Sequence, residues 1–130
     1  MTLPTTMKTK KLVDMLYDAT TQGEIEWQLG FDEDTVETKL GKNFVQLIQE
    51  DEDDPADGTV TVILVKNENG DVVDRIYPGI LHGEKTSIDG YTKYWQVFDA
   101  IYSTATRMAK GVEKTLDEVI AELQKKVIPF

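Results

Sequence analysis

From Ile25 to Ile76 apolar residues recur at every second position, and on either side of that span they recur at every third or fourth. A period of two sends successive side chains to opposite faces of a strand, whereas a period near 3.6 collects them on one stripe of a helix. The pattern therefore directs the middle of the chain to strands and both flanks to helices. In "EIEWQLG", Ile25, Trp27 and Leu29 alternate with Glu24, Glu26 and Gln28, as in a strand with one buried and one wet face. Residues 35–40 and 43–49 follow, joined by Gly41-Lys42. Glycine at the first central position suits a two-residue type II′ hairpin, which needs positive φ there. That turn sets Lys39 opposite Phe44, Thr38 opposite Val45 and Val36 opposite Leu47. Val36, Leu40, Val45 and Leu47 then share one sheet face, with Phe44 and Ile48 on the other. Residues 59–66 and 71–77 form a second hairpin around Asn69-Gly70. A two-residue turn there pairs Ile63 with Ile76, and a three-residue turn with a bulge at Gly70 pairs Val62 with Ile76.

The first helix is expected over residues 7–22, with Leu12, Met15, Leu16 and Ala19 on its buried stripe and Gly23 as a left-handed C-cap. Residues 78–90 read as irregular. A second helix from about Tyr91 carries Tyr94, Phe98, Ile101, Ala105 and Met108 along one seam, with Trp95 and Tyr102 on its flank. After Gly111, Thr115 and Glu118 have the spacing of a capping box for a last helix to about Val127 along Leu116, Val119, Ile120 and Leu123, ended by Pro129. Its early acids and late Lys125 and Lys126 complement the helix dipole. The expected fold is a single α+β domain over residues 1–130: an N-terminal helix, a five-stranded antiparallel meander, and two C-terminal helices packed on the sheet.

Charge and composition exclude several functions. The chain carries 24 acidic and 14 basic side chains, a net charge of −10, which disfavours nucleic acid and anionic membrane surfaces as partners. With no cysteine, disulfides, thiolate metal sites and a cysteine nucleophile are ruled out. "MTLPTTMKTKK" has lysines with no apolar run behind them, and no stretch approaches the ~18 apolar residues of a spanning helix, so a cytoplasmic setting is expected. The acidic run "QEDEDDPADG" fails as a calcium loop: counting from Asp53, the twelfth position, which needs a bidentate glutamate, is Leu64. It reads as a solvated hairpin loop. His82, the one histidine, has neither a nucleophile nor companion ligands at suitable spacing. "GKN" at Gly41 lacks the rest of a phosphate-binding loop. No catalytic residue, metal or cofactor is expected.

"LYDATTQGEIEW", followed by a β meander and a closing "GVEKTLDEVIAEL", resembles small uncharacterised bacterial and phage α+β domains in which a first helix ends in threonine and glycine and leads to a tryptophan-bearing strand. The resemblance implies a fold and no activity. Size and acidity are also similar to those of type III secretion chaperones, dimeric and non-enzymatic, but those interpose a helix within the sheet segment and this pattern does not. The expected function is a non-enzymatic protein-binding module that self-associates as a homodimer. Its contact would come from the second sheet face or the third helix; the apolar groups in view under one-sided helix cover are Phe44 and Ile48 on that face, with Trp95 and Tyr102 on the flank of the second helix. The alternative is an acidic decoy or inhibitor, phage or host, that occupies a basic groove of another protein through Glu24, Glu26, Glu33 and Glu37.

Overall fold

The structure is a computed structural model that describes residues 5–32 and 34–127. Glu33 and Pro129 lie outside the described residues. The elements are α1 (Thr5–Thr21), β1 (Gln28–Leu29), β2 (Val36–Leu40), β3 (Asn43–Asp51), β4 (Thr59–Lys66), β5 (Val72–Ile76), α2 (Tyr94–Ala109) and α3 (Val112–Val127), with 3-10 turns at Pro55–Asp57 and Pro78–Leu81. The five strands form one antiparallel sheet in chain order, so the fold is the expected α+β meander.

Turn chemistry sets the registers. Gly41 has φ of +67°, and Val36, Thr38 and Lys39 stand opposite Leu47, Val45 and Phe44 as the hairpin requires. The second hairpin combines both anticipated arrangements. Ile63 faces Ile76, yet Lys66 faces Val72 and the ladder slips beyond Val65. Asn67 closes the loop by donating its N–H to the Asp71 carbonyl at 2.9 Å. The longer turn is thus compensated by an extra residue in β5 at Val73, which restores the pairing farther along.

β1 is shorter than the alternation from Ile25 predicts because the chain before it turns toward α1. The buried indole of Trp27 donates from Nε1 to Thr20 Oγ1 at 3.1 Å. A buried N–H needs an acceptor, and the one available lies on the helix, not in the sheet. α1 in turn buries Thr9, Val13, Leu16 and Thr20, a stripe rotated from the expected one, so that Met15 is 59% exposed. The rotation follows from the neighbour: α1 lies chiefly against α2. Tyr94 Oη donates to Asp14 Oδ1 at 2.7 Å, and the Tyr17 and Tyr91 rings meet edge to face at 5.7 Å.

α2 supplies the centre of the core. Val97, Phe98, Ile101 and Ala105 are buried together with Val36, Leu47, Ile63 and Ile76 of the sheet. The helix begins at Tyr94 instead of near Tyr91 because Gln96 Oε1 accepts the N–H groups of both Thr92 and Lys93, each at 3.1 Å. These are donors that a helix start leaves unpaired.

α3 differs from expectation in place, not in kind. It is helical, but none of its residues is buried, and its element contacts are with α2. It does not lie on the sheet. The capping box is not formed either: the Thr115 N–H donates to the Gly111 carbonyl at 3.0 Å, so the helix already runs from Val112. Gly111, at φ of +63°, turns the corner in a conformation that L side chains rarely adopt.

The sheet face away from the helices is closed by its own side chains. Glu50 stands opposite Val60 and Arg75 opposite Leu64, so the Arg75–Glu50 ion pair at 2.5 Å crosses β4 above Val62, the residue between them on that face. Tyr77 Oη donates to the same carboxylate at 3.1 Å. Val62 is completely buried beneath this strap. At the borders of the sheet, β1 offers two paired residues, and β5 is interrupted by its bulge and carries Asp74 and Arg75.

Candidate functional site

Among the described residues two extended apolar surfaces stand out, and they belong to different elements. The first is a groove of about 600 Å³ between α1 and the β2–β3 hairpin. Leu12, Met15, Leu16 and Ala19 form its helical wall, and Ile25, Leu40 and Val45 its opposite wall. The charged groups along it are Lys8 and Lys11. It exists because α1 is pinned to α2 through Tyr94–Asp14 and to the start of the sheet through Trp27–Thr20. The helix therefore stands away from the far end of the hairpin. The apolar stripe read from the sequence faces this opening, and the smaller Thr9–Val13 stripe faces the core. Burial, with the Asp14 carboxylate beside it, raises the Tyr94 phenol well above its ordinary range. The pin thus stays protonated at neutral pH.

The second surface is the seam of α3. Leu116, Val119, Ile120, Leu123 and Val127 are between 47% and 71% exposed and fall within one stripe of the helix. Glu113, Asp117 and Glu118 lie in its first half, Lys125 and Lys126 in its last turn. Glu113 also accepts from Arg107 at 2.5 Å across the α2–α3 corner.

The residues expected to form an interface are placed as follows. Phe44 is half-buried with Lys39 Nζ 6.0 Å from its ring centroid, a cation–π distance. Ile48 is half-buried beside Val62. Tyr102 is half-buried and donates from Oη to the Asp34 carbonyl at 2.6 Å, which ties α2 to the turn before β2; burial raises its phenol. Trp95 is 55% exposed on α2. The structure brings Phe44 and Ile48 onto one face, and sets Trp95 and Tyr102 on the helix across the sheet. The open apolar stripe of α1 was missed by sequence reasoning, which assigned it to the core; that of α3 was expected on the sheet, although the third helix was also a candidate for the contact.

The remaining candidates are dispersed. Glu24 and Glu26 are exposed and Glu37 is half-buried, along a shallow recess beside β1 and β2. The acidic run ends β3 with Gln49, Glu50 and Asp51 and continues as the β3–β4 loop, where Asp54 Oδ1 accepts the Ala56 N–H at 3.0 Å and the Glu52 N–H donates to the Gly58 carbonyl at 2.9 Å. His82 is exposed after the second 3-10 turn. Among the described residues no group of three or more His, Cys, Asp or Glu is placed to hold a metal. No helix among them is long and apolar enough to cross a membrane. Compared with known protein families, characterised proteins and solved structures, the chain matches none.

Proposed function

We propose that this protein is a non-enzymatic protein-binding module that self-associates, and that α3 is the element through which it does so. One observation carries the reading: a 16-residue amphipathic helix whose apolar seam is left uncovered by the other described residues. Isolated helices of about this length are marginal in water, and most helices owe their stability to packing of an apolar stripe. Full burial of one aliphatic side chain contributes about 1.5–3 kcal/mol. Covering the five half-exposed side chains of the seam is then worth about 4–7 kcal/mol per helix on that scale. That is a substantial fraction of a domain's net stability.

Sedimentation velocity on the full chain across a micromolar range tests this directly. The wild type should sediment as a dimer, and Ile120→Asp, which places a charge on the seam without touching the core, as a folded monomer. A wild-type chain that stays monomeric throughout removes the reading.

A further inference from the structure

The seam of α3 and the groove beside α1 match in length, shape and charge. α1 has 17 residues and α3 has 16, so each is about 24–26 Å long at 1.5 Å per residue. The groove has apolar walls with lysines along it, and the seam is apolar with acids beside it. Their charges also run in opposite senses. α1 carries Lys8, Lys10 and Lys11 in its first half and Asp14 and Asp18 in its second, with no acid in its first turn. The positive end of the helix dipole therefore coincides with three uncompensated lysines. α3 carries Glu113, Asp117 and Glu118 against Lys114 in its first half, and Lys125 and Lys126 against Glu122 in its second, so it is net acidic early and net basic late. Laid side by side in the same direction, the two helices bring the acids early in α3 to Lys8 and Lys11 of the groove, while Asp14, bonded to Tyr94, faces α2.

We propose that α3 of one copy seats in the groove between α1 and the β2–β3 hairpin of a second copy, parallel to α1, and that the exchange is reciprocal. This rests on the self-association reading above and adds where the helix goes. The areas favour it over pairing of α3 with α3. Taking roughly 50 Å² for each half-exposed aliphatic side chain, two seams laid together cover on the order of 500 Å². Stable specific interfaces cover about 1,200–2,000 Å². Seating each seam in a groove covers groove wall as well, and does so twice, which brings the apolar part to on the order of 700 Å².

The absence of cysteine from the chain makes the test direct. Met15→Cys and Ile120→Cys each alter an exposed position; the two chains are mixed and treated with a short bis-maleimide. Covalent dimer should form in the mixture at least tenfold more than in either variant alone. Equal cross-linking of Ile120→Cys with itself assigns α3 to α3 and overturns the seat while sparing self-association. A dimer by sedimentation with no cross-link in the mixture does the same. A cross-link within a monomeric chain carrying both substitutions assigns α3 to its own groove and overturns the proposal. So does a monomeric wild type whose groove takes up a fluorescent acyl probe, and that result also removes self-association. Charge gives a second readout. Lys11→Glu and Asp117→Lys should each weaken dimerisation at least fivefold, and mixing them should restore it, because both junctions of the mixed dimer then pair opposite charges. Failure of the mixture to recover overturns the parallel seating.

Discussion

Replacing Tyr94 with phenylalanine removes one oxygen and leaves a buried ring in place. The lost contact is the 2.7 Å hydrogen bond from Oη to Asp14 Oδ1, which joins α2 to α1 and holds one wall of the groove. A hydrogen bond to a charged group contributes about 1.5–3 kcal/mol; Tyr94 is buried but Asp14 is half-buried, which places the expected loss toward the lower end of that range. For a chain of this size that range corresponds to a melting temperature lower by roughly 5–15 °C. The pH dependence follows from the phenol, whose proton is held more tightly in the folded state because burial and Asp14 raise it. An unfolded tyrosine titrates near 10. The Tyr94 contribution is therefore complete below about pH 10 and declines above it by about 1.4 kcal/mol per pH unit. Burial also raises Tyr17 and Tyr102, so the wild type declines on three phenols and Tyr94→Phe on two. Urea denaturation of dilute protein at pH 7 and from pH 9.5 to 11.5 reads both effects. The variant should be less stable at pH 7, and the gap should narrow by about 2 kcal/mol by pH 11.5. No gap at pH 7, or one that stays constant through the alkaline range, would refute the role given to this bond.

Thr20→Val leaves the Trp27 indole N–H buried without its acceptor and should cost about 1–3 kcal/mol in chemical denaturation, with Thr20→Ser close to wild type. Gly30→Ala brings a Cβ to 2.6 Å from Thr35 Cγ2 in a buried site, and overpacking of this kind costs about 1–3 kcal/mol. Thr35→Ser in the same chain should recover part of the loss, since the nearest atom is removed and the 3.0 Å and 3.2 Å contacts remain. A chain ending at Gly111 keeps every core residue, all of which lie at or before Ala109. Its monomer stability should be unchanged within about 0.5 kcal/mol, while its melting temperature loses the concentration dependence that self-association gives the full chain.

Strand order and the β2–β3 register were legible because they are local, whereas the Asn69-Gly70 hairpin admitted two registers and a bulge decided between them. Gly41 dictates the β2–β3 turn, and alternation allows one register consistent with burial of Val36, Val45 and Leu47. The seam of α2 was legible for the same reason. Placement of α1 and α3 was not, because an apolar stripe states that a helix is covered without stating by what. Leu116, Ile120 and Leu123 satisfy the same periodicity whether they meet their own sheet or another molecule. On α1, two stripes compete, and the choice of Thr9–Val13–Leu16–Thr20 depends on Trp27 and Tyr94 reaching it from distant parts of the chain. The outer sheet face was misjudged through its long side chains. Phe44 and Ile48 looked uncovered because Lys39, and the Arg75–Glu50 pair over β4, were counted as surface charge and not as cover.

The lateral borders of the layer bear on how this protein behaves when concentrated. β4, the strand most prone to template fibrils, is flanked by β3 and β5, while the rims offer newcomers a two-residue stub on one side and a kinked, charged strand on the other. Beyond the stub, β2 leaves only residues 38–40 without a strand partner on that side, a short run for a stranger to zip onto. Copies that gather in a crowded solution therefore meet short, irregular borders, which disfavour edge-to-edge growth into ribbons.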